Sequence, residues 1–414
     1  MQSLRQYQSE GLRRLKAAWQ SGKRAPIMVS PTGSGKTTMF AHLIKDFQSK
    51  RVLVLCPWRE LVFQGHRRLT EHGVKAGIMM ADRKPKEGET VHVATTATAA
   101  RRNLGKYDLI VIDEAHRAVS NQCRRVINNY PEAKKVGWTA TPLRLDGKRL
   151  CTVFDDLIDV VSVKDLINQG HLVGCKVYAR DVDLAGLRYD RKSRDYATGS
   201  ASKRMIPLVG DAVDTWRSRA NGSRTLVFCV SIPHAEATVQ AFTARGIKAD
   251  MITGKTSTTR RHEMFEAVRA GELVLVSIGT CNEGLDLPEL QTIVMLRPTL
   301  SRGLFRQICG RGLRPAPKLG KRECLFLDHA DNFRKHGFPE DPVEWSLKTK
   351  QDDQKALKKE KFEPKAKKCS KCGRMVPMNT VRCPGCGNTW LPETESGKLV
   401  VLPHVPRPLR QILG

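Results

Sequence analysis

Short, unbroken apolar runs, each followed by a stretch with apolar residues three or four positions apart, recur along this chain. Residues 27–29, 52–56, 91–94 and 107–112 read as buried strands, and residues 37–47 as the helix after the first. Runs this short and this apolar suit a parallel sheet with helices on both faces. The pattern restarts in the second half. Residues 224–230 form a strand leading into a helix at 233–245, residues 273–278 and 292–296 add two strands, and a helix opens after Gln307 with Arg311 and Arg314 at its start. Strands alternating with helices in this way predict an α/β fold, with two tandem parallel-sheet lobes at residues 1–160 and 161–345. Residues 181–204, rich in Asp, Arg, Lys, Ser and Gly, make an exposed excursion early in the second lobe. Its length and polarity suit a lid, a strand-separating element or a plain surface loop, and no role is assigned to it.

The 414 residues are enough for two ordinary domains and a small module, each lobe burying its own core. With 40% hydrophobic and 27% charged residues, the composition is that of a globular chain rather than a disordered one. No apolar run of about 18 residues occurs, and the amino-terminal MQSLRQYQSEGLRRL lacks the apolar stretch of a signal peptide. These features argue against a membrane or secreted protein and predict a cytoplasmic one. A formal net charge of +29 attracts polyanions, and contact with phosphates releases their counterions. Nucleic acid is the expected partner, although charge does not separate DNA from RNA.

Chemistry enters at SPTGSGKTT, residues 30–38, between the first strand and its helix. Gly33 and Gly35 let the backbone curl so that successive N–H groups and the helix amino terminus face phosphate oxygens. Lys36 then reaches the β and γ phosphates and Thr37 offers Mg²⁺ a hydroxyl, with Thr32, Ser34 and Thr38 completing the loop. The usual pattern opens on Gly, and Ser30 stands there instead. The second half of such a site is an acidic residue at the carboxyl end of another strand in the same sheet. Asp113 and Glu114 follow the 107–112 run, Asp113 as the Mg²⁺ partner and Glu114 as the base that orients an attacking water. Together these are the parts of an ATPase. The second half carries no phosphate loop, but Arg311 and Arg314 are planar cations suited to stabilising charge on a phosphoryl group from a facing domain. Gly310 and Gly312 permit close approach beside them.

In order along the chain, Gln8, SPTGSGKT, DEAH at 113–116, TATP at 139–142, TCNEGLD at 280–286 and QICGRGLR at 307–314 resemble the superfamily 2 helicases and translocases, over residues 1 to about 330. LRQYQ at 4–8, MITGKT at 251–256, MLRPTLS at 295–301 and QICGRGLRPAP at 307–317 are similar to the RadD branch of DNA repair helicases, in a short or phage-borne form. The resemblance implies RecA-like lobes with ATP between them and a Gln8 that contacts adenine beside Tyr7 and Arg5. It implies that Thr139 and Thr141 link phosphate state to lobe movement, with His116 relaying from Glu114 to the second lobe. Gly284 and Asp286 would sense nucleotide from the far side, and Gln307, Arg311 and Arg314 would complete the catalytic set. Pro57, Arg59, Glu60, Thr95, Thr96 and Thr280 would touch the nucleic-acid backbone. Gln307 where DEAD-box RNA helicases usually have His, and DEAH in place of DEAD, point toward DNA, whether single-stranded, duplex or forked. Single-strand-binding and strand-exchange proteins are the implied partners, in recombination and repair. The alternatives are an RNA helicase, a nucleotide-switched DNA-binding module that does not unwind, and the motor of a restriction system.

Of twelve cysteines, eight are scattered singly, most in apolar segments where free Cys behaves as a core residue. Cys369, Cys372, Cys383 and Cys386 form two C-x₂-C pairs separated by ten residues, each pair closed by glycine. That is the spacing of two knuckles around tetrahedral Zn²⁺, with a less symmetric iron–sulfur site as the alternative. Four protein ligands leave no open position, so a structural zinc ribbon is expected at 367–391. A Lys-rich linker at 346–366, either solvated or contacting nucleic acid, leads to it, and a flexible tail at 392–414 follows.

Overall fold

The computed structural model describes residues 3–47, 50–102, 105–142, 149–279, 287–347 and 364–390. Most of the Lys-rich linker and the whole of the tail lie outside the described residues, as do Thr280, Gly284 and Asp286.

In the first lobe, β1 (Pro26–Val29), β2 (Val52–Cys56), β3 (Gly77–Met79), β4 (Val91–Thr95), β5 (Leu109–Ile112), β6 (Lys134–Thr139) and β7 (Asp156–Asp159) form one sheet in the order β3-β4-β2-β5-β6-β1-β7. Every pairing is parallel. Alternate residues of the central strands enter different cores. Met28, Val52, Val54, Leu109 and Val111 pack with Phe40 and Leu69 on one face, and Ile27, Leu53, Leu55, Ile110 and Ile112 pack with Phe154 on the other. A strand covered on both faces has no polar positions to alternate with, which is why these read as unbroken apolar runs.

The second lobe repeats the plan with β8 (Gly174–Ala179), a small hairpin of β9 (Tyr189–Asp190) and β10 (Asp195–Tyr196), then β11 (Thr225–Phe228), β12 (Ala249–Ile252), β13 (Val274–Ser277), β14 (Thr292–Met295) and β15 (Glu323–Asp328). The parallel sheet runs β12-β13-β11-β14-β15-β8. Leu226 and Phe228 face the cluster of Phe305 and Phe333, while Val227 and Cys229 face Trp216 and Phe242. The two-lobed parallel α/β fold is as expected. No helix among the described residues is long and apolar enough to cross a membrane.

Two expectations need correction. The helix expected to open after Gln307 spans Arg302–Gly312, so Arg311 lies at its end and Arg314 just beyond it. Ser301 sets the start, its hydroxyl accepting from the N–H of Leu304, as an N-cap serine does. The excursion at 181–204 is also not freely exposed. Asp195 of its hairpin is buried and accepts from Thr299 Oγ1 and the N–H of Leu300, both at 2.6 Å. A carboxylate within a polar stretch of sequence is thus the hairpin's anchor.

A third unit pairs β16 (Ala366–Lys368) with β17 (Met375–Pro377). It sits on β8, the edge strand of the second sheet: Arg374 bridges Tyr178, Ala179 donates to Gly373 O, and Arg219 donates to Cys372 O while its guanidinium lies 3.8 Å from the Tyr178 ring centroid. Ala366 and Met375 belong to the same apolar cluster as Phe326 and Phe333. The unit thereby covers one open edge of the sheet, where unpaired backbone groups would otherwise face solvent.

Candidate active site between the lobes

In the first sheet β5, β6 and β1 lie side by side, so DEAH, TATP and the phosphate loop emerge together from their carboxyl ends. That is the edge where open α/β sheets bind ligands. Gly33 and Gly35 take φ of +87° and +79°, and the helix Lys36–Lys45 starts directly after them. Ser30 is buried; its N–H donates to Thr139 O, and its hydroxyl bonds to that of Ser34, which in turn donates to Pro31 O at 2.7 Å. The serine where glycine was expected therefore braces the loop from inside.

Gln8 and Tyr7 brace it from outside. Gln8 Nε2 and the Tyr7 hydroxyl both donate to Ser34 O, at 2.9 and 2.8 Å, and Gln8 Oε1 accepts from the N–H of Arg5. Arg5 in turn donates to the Tyr7 hydroxyl. Gln8, expected at an adenine ring, has both ends of its amide engaged with the protein.

Lys36 Nζ donates to the carbonyls of Ser30 and Pro31. Burial holds its pKa down, with the charges of Glu114 and Asp113 acting in the opposite sense. Burial and the adjacent Glu114 charge push Asp113 up to about 7. Glu114 is buried too, but the His116 ring beside it and the charges of Lys36 and Arg311 overcome the cost of burial and hold it at about 2. Its backbone sits in the left-handed region at φ 48°, ψ 51°, a conformation unfavourable for a residue with a Cβ. Strain of this kind is retained where surrounding structure requires it.

From Glu114 a chain of polar contacts leads toward the second lobe. His116 Nδ1 lies 3.3 Å from Glu114 Oε2 and 3.1 Å from Thr139 Oγ1. Because the Thr139 hydroxyl donates to Thr141 O, its oxygen accepts, which places the proton on His116 Nδ1. Thr141 lies against Gly303 in the helix Arg302–Gly312 that carries Arg311. At that helix's other end a Cβ on Gly310 would stand 2.8 Å from Thr32 of the phosphate loop, so only glycine fits. Arg311 and Arg314, both largely buried, reach the same cleft as Arg5, Gln8, Thr32, Gly33, Gly35, Lys36, Thr37, Thr38, Asp113 and Glu114. This cleft encloses about 360 Å³.

Other expected residues stand apart. Gln307 lies one turn before Arg311, outside the cleft lining. Thr95 ends β4, Thr96 follows it, and Arg59 opens the helix after β2. The Thr95 hydroxyl caps the following short helix, Thr96 donates to Cys56 O, and Arg59 pairs with Asp82 at 2.9 Å. Leu61, Gln64 and Arg68 also line the cleft and were not singled out from sequence. Their spacing on the helix Arg59–Glu71 puts them on one face, a signal that was available.

The four ribbon cysteines bring their Sγ atoms within 4.8 Å of one another, with Cys369–Cys386 at 3.6 Å and Cys372–Cys383 at 3.7 Å. Tetrahedral Zn²⁺ with bonds of roughly 2.3 Å requires sulfur separations of about 3.8 Å. The donor set fits that ion.

Comparison with known proteins follows the same division. The family model described as type III restriction enzyme, res subunit, matches residues 1–144, and the helicase conserved C-terminal domain matches residues 206–316. A 51.5 kDa protein of a Lactococcus phage (isolate 7-9) is 28% identical over 380 residues, 90% of this chain and 80% of the phage protein. A Schizosaccharomyces pombe protein named as the mitochondrial ATP-dependent helicase irc3 is 31% identical over 364 residues, 82% of this chain but 59% of its own length. The DNA 3'-5' translocase XPB2 of Sulfurisphaera tokodaii is 24% identical over 372 residues, 78% of this chain and 81% of the translocase. Among solved structures, a fragment of a type I restriction enzyme HsdR subunit from Vibrio vulnificus YJ016 aligns with a TM-score of 0.66 at 20% identity, covering 82% of this chain and 67% of that one. At that identity the likeness is one of fold, and it spans both lobes.

Proposed function

This chain belongs to the superfamily 2 ATP-dependent helicases and translocases, and from that premise we propose that its track is DNA and its ATP site is the cleft between the lobes. The observation that carries the reading is that Lys36, Asp113 and Glu114 of the first lobe line one cleft with Arg311 and Arg314 of the second. In this reading the loop N–H groups and Lys36 hold the β and γ phosphates. Glu114, kept ionised, accepts a hydrogen bond from the attacking water and fixes its direction; in a loose phosphoryl transfer, positioning counts for more than base strength. Arg311 and Arg314 stabilise charge on the transferring group, which requires the lobes to be together. A buried, adjacent pair of carboxylates beside a threonine hydroxyl suits a divalent cation, and Thr37 and Asp113 would hold Mg²⁺, which when bound neutralises phosphate charge. Cys369, Cys372, Cys383 and Cys386 would hold Zn²⁺ in a closed, structural site.

The net charge of +29 suits either nucleic acid, and DNA is favoured over RNA by Gln307 in place of His and by the DNA translocase among the relatives. The RadD-like strings extend the proposal to recombination, repair or phage DNA metabolism alongside single-strand-binding and strand-exchange proteins. ATP hydrolysis measured in parallel with single-stranded, duplex and forked DNA and with RNA tests the reading. Stimulation by one or more DNAs is expected, and stimulation by RNA alone overturns it.

A further inference from the structure

Of the six tryptophans, Trp58 is the exposed one, at 47% of its surface. Trp19, Trp138 and Trp216 lie in the cores, and Trp345 and Trp390 are half-buried. An indole left in water forgoes the stabilisation that burial of so large a ring brings. Trp58 stands two residues after the end of β2 and is the N-cap of the helix Arg59–Glu71. Its ring is not loose, since the Arg117 guanidinium lies 5.0 Å from its centroid. A second such pair stands on the same helix, where the Arg83 guanidinium lies 5.2 Å from the exposed Phe63 ring. The start of this helix thus carries two exposed aromatic rings, each with a guanidinium against it, and Thr96 reaches the same end of β2 by donating to Cys56 O.

We propose that Trp58, backed by Arg117, is a stacking platform for a base of single-stranded DNA. This rests on the reading of the chain as a DNA motor. The chemistry suits a motor because every base has a π face, so stacking tolerates any sequence, while the guanidinium adds favourable charge. The placement also matters for coupling. Arg117 ends the turn Ala115–Arg117 that follows Glu114, and it adjoins His116, which lies 3.3 Å from Glu114 Oε2 and hydrogen-bonds Thr139. A base seated on Trp58 therefore presses on the turn that holds the hydrolysis residues.

The test compares the full chain's equilibrium affinity for an oligothymidylate and for an abasic oligonucleotide of the same length and backbone, at fixed salt. The natural chain is expected to favour the base-bearing strand. In Trp58→Ala that preference falls by about fivefold or more while abasic affinity is unchanged, and Trp58→Phe retains most of it. Unchanged abasic affinity also shows that the variant is folded. An undiminished preference in Trp58→Ala overturns the platform alone, whereas failure of the natural chain to bind either strand overturns the DNA reading with it.

Discussion

Glu114 combines a strained backbone, a carboxyl whose pKa is held down at about 2 by His116, Lys36 and Arg311 against the cost of burial, and a place in the cleft lined also by two arginines. Replacing it with Gln preserves shape and removes the charge that aligns the water. Turnover in Glu114→Gln is expected to fall by about a hundredfold or more with ATP binding retained; hydrolysis at the natural rate, measured beside ATP binding by calorimetry, would remove Glu114 from this role. Much at this scale was legible. Lys36, Asp113 and Glu114 could be placed because a glycine-flanked lysine between strand and helix, with paired acids at the end of a second strand, is the donor set that a phosphate-bound cation demands. The bracing contacts of Ser30, Gln8 and Thr95 were not legible, since a sequence does not display which hydrogen bonds a side chain makes.

Strands were readable as elements because two-sided burial leaves an unbroken apolar signature. The helix bearing Arg311 was misplaced because its motif drew the start to Gln307, while the N-cap at Ser301 marks the true start. The cysteine spacing pointed to a metal-binding ribbon, yet not to its seat, since nothing in the sequence around Ala366 and Met375 shows that they pack in the core of the second lobe. Their burial makes the ribbon part of the second lobe's stability. Burying Met375 contributes about 2 kcal/mol, so removing Zn²⁺ by chelation, or Cys383→Ser, should lower the second lobe's Tm by roughly 4–8 °C. Scanning calorimetry reads this directly, and an unshifted transition would show a ribbon that merely rests on β8.

At the scale of the molecule, the order of the motifs pointed to two lobes sharing one catalytic task, and the charge pointed to a polyanionic partner. What the order does not contain is the approach of the lobes, which depends on surface shape: Gly310 against Thr32 and Thr141 against Gly303. On that approach depends whether the second lobe supplies charge to chemistry begun in the first. The steady-state ATPase of Arg311→Ala at saturating single-stranded DNA decides it. A kcat lower by about a thousandfold, with KM for ATP changed only a few fold, is the expected result. A kcat within about twofold of the natural chain's would contradict it.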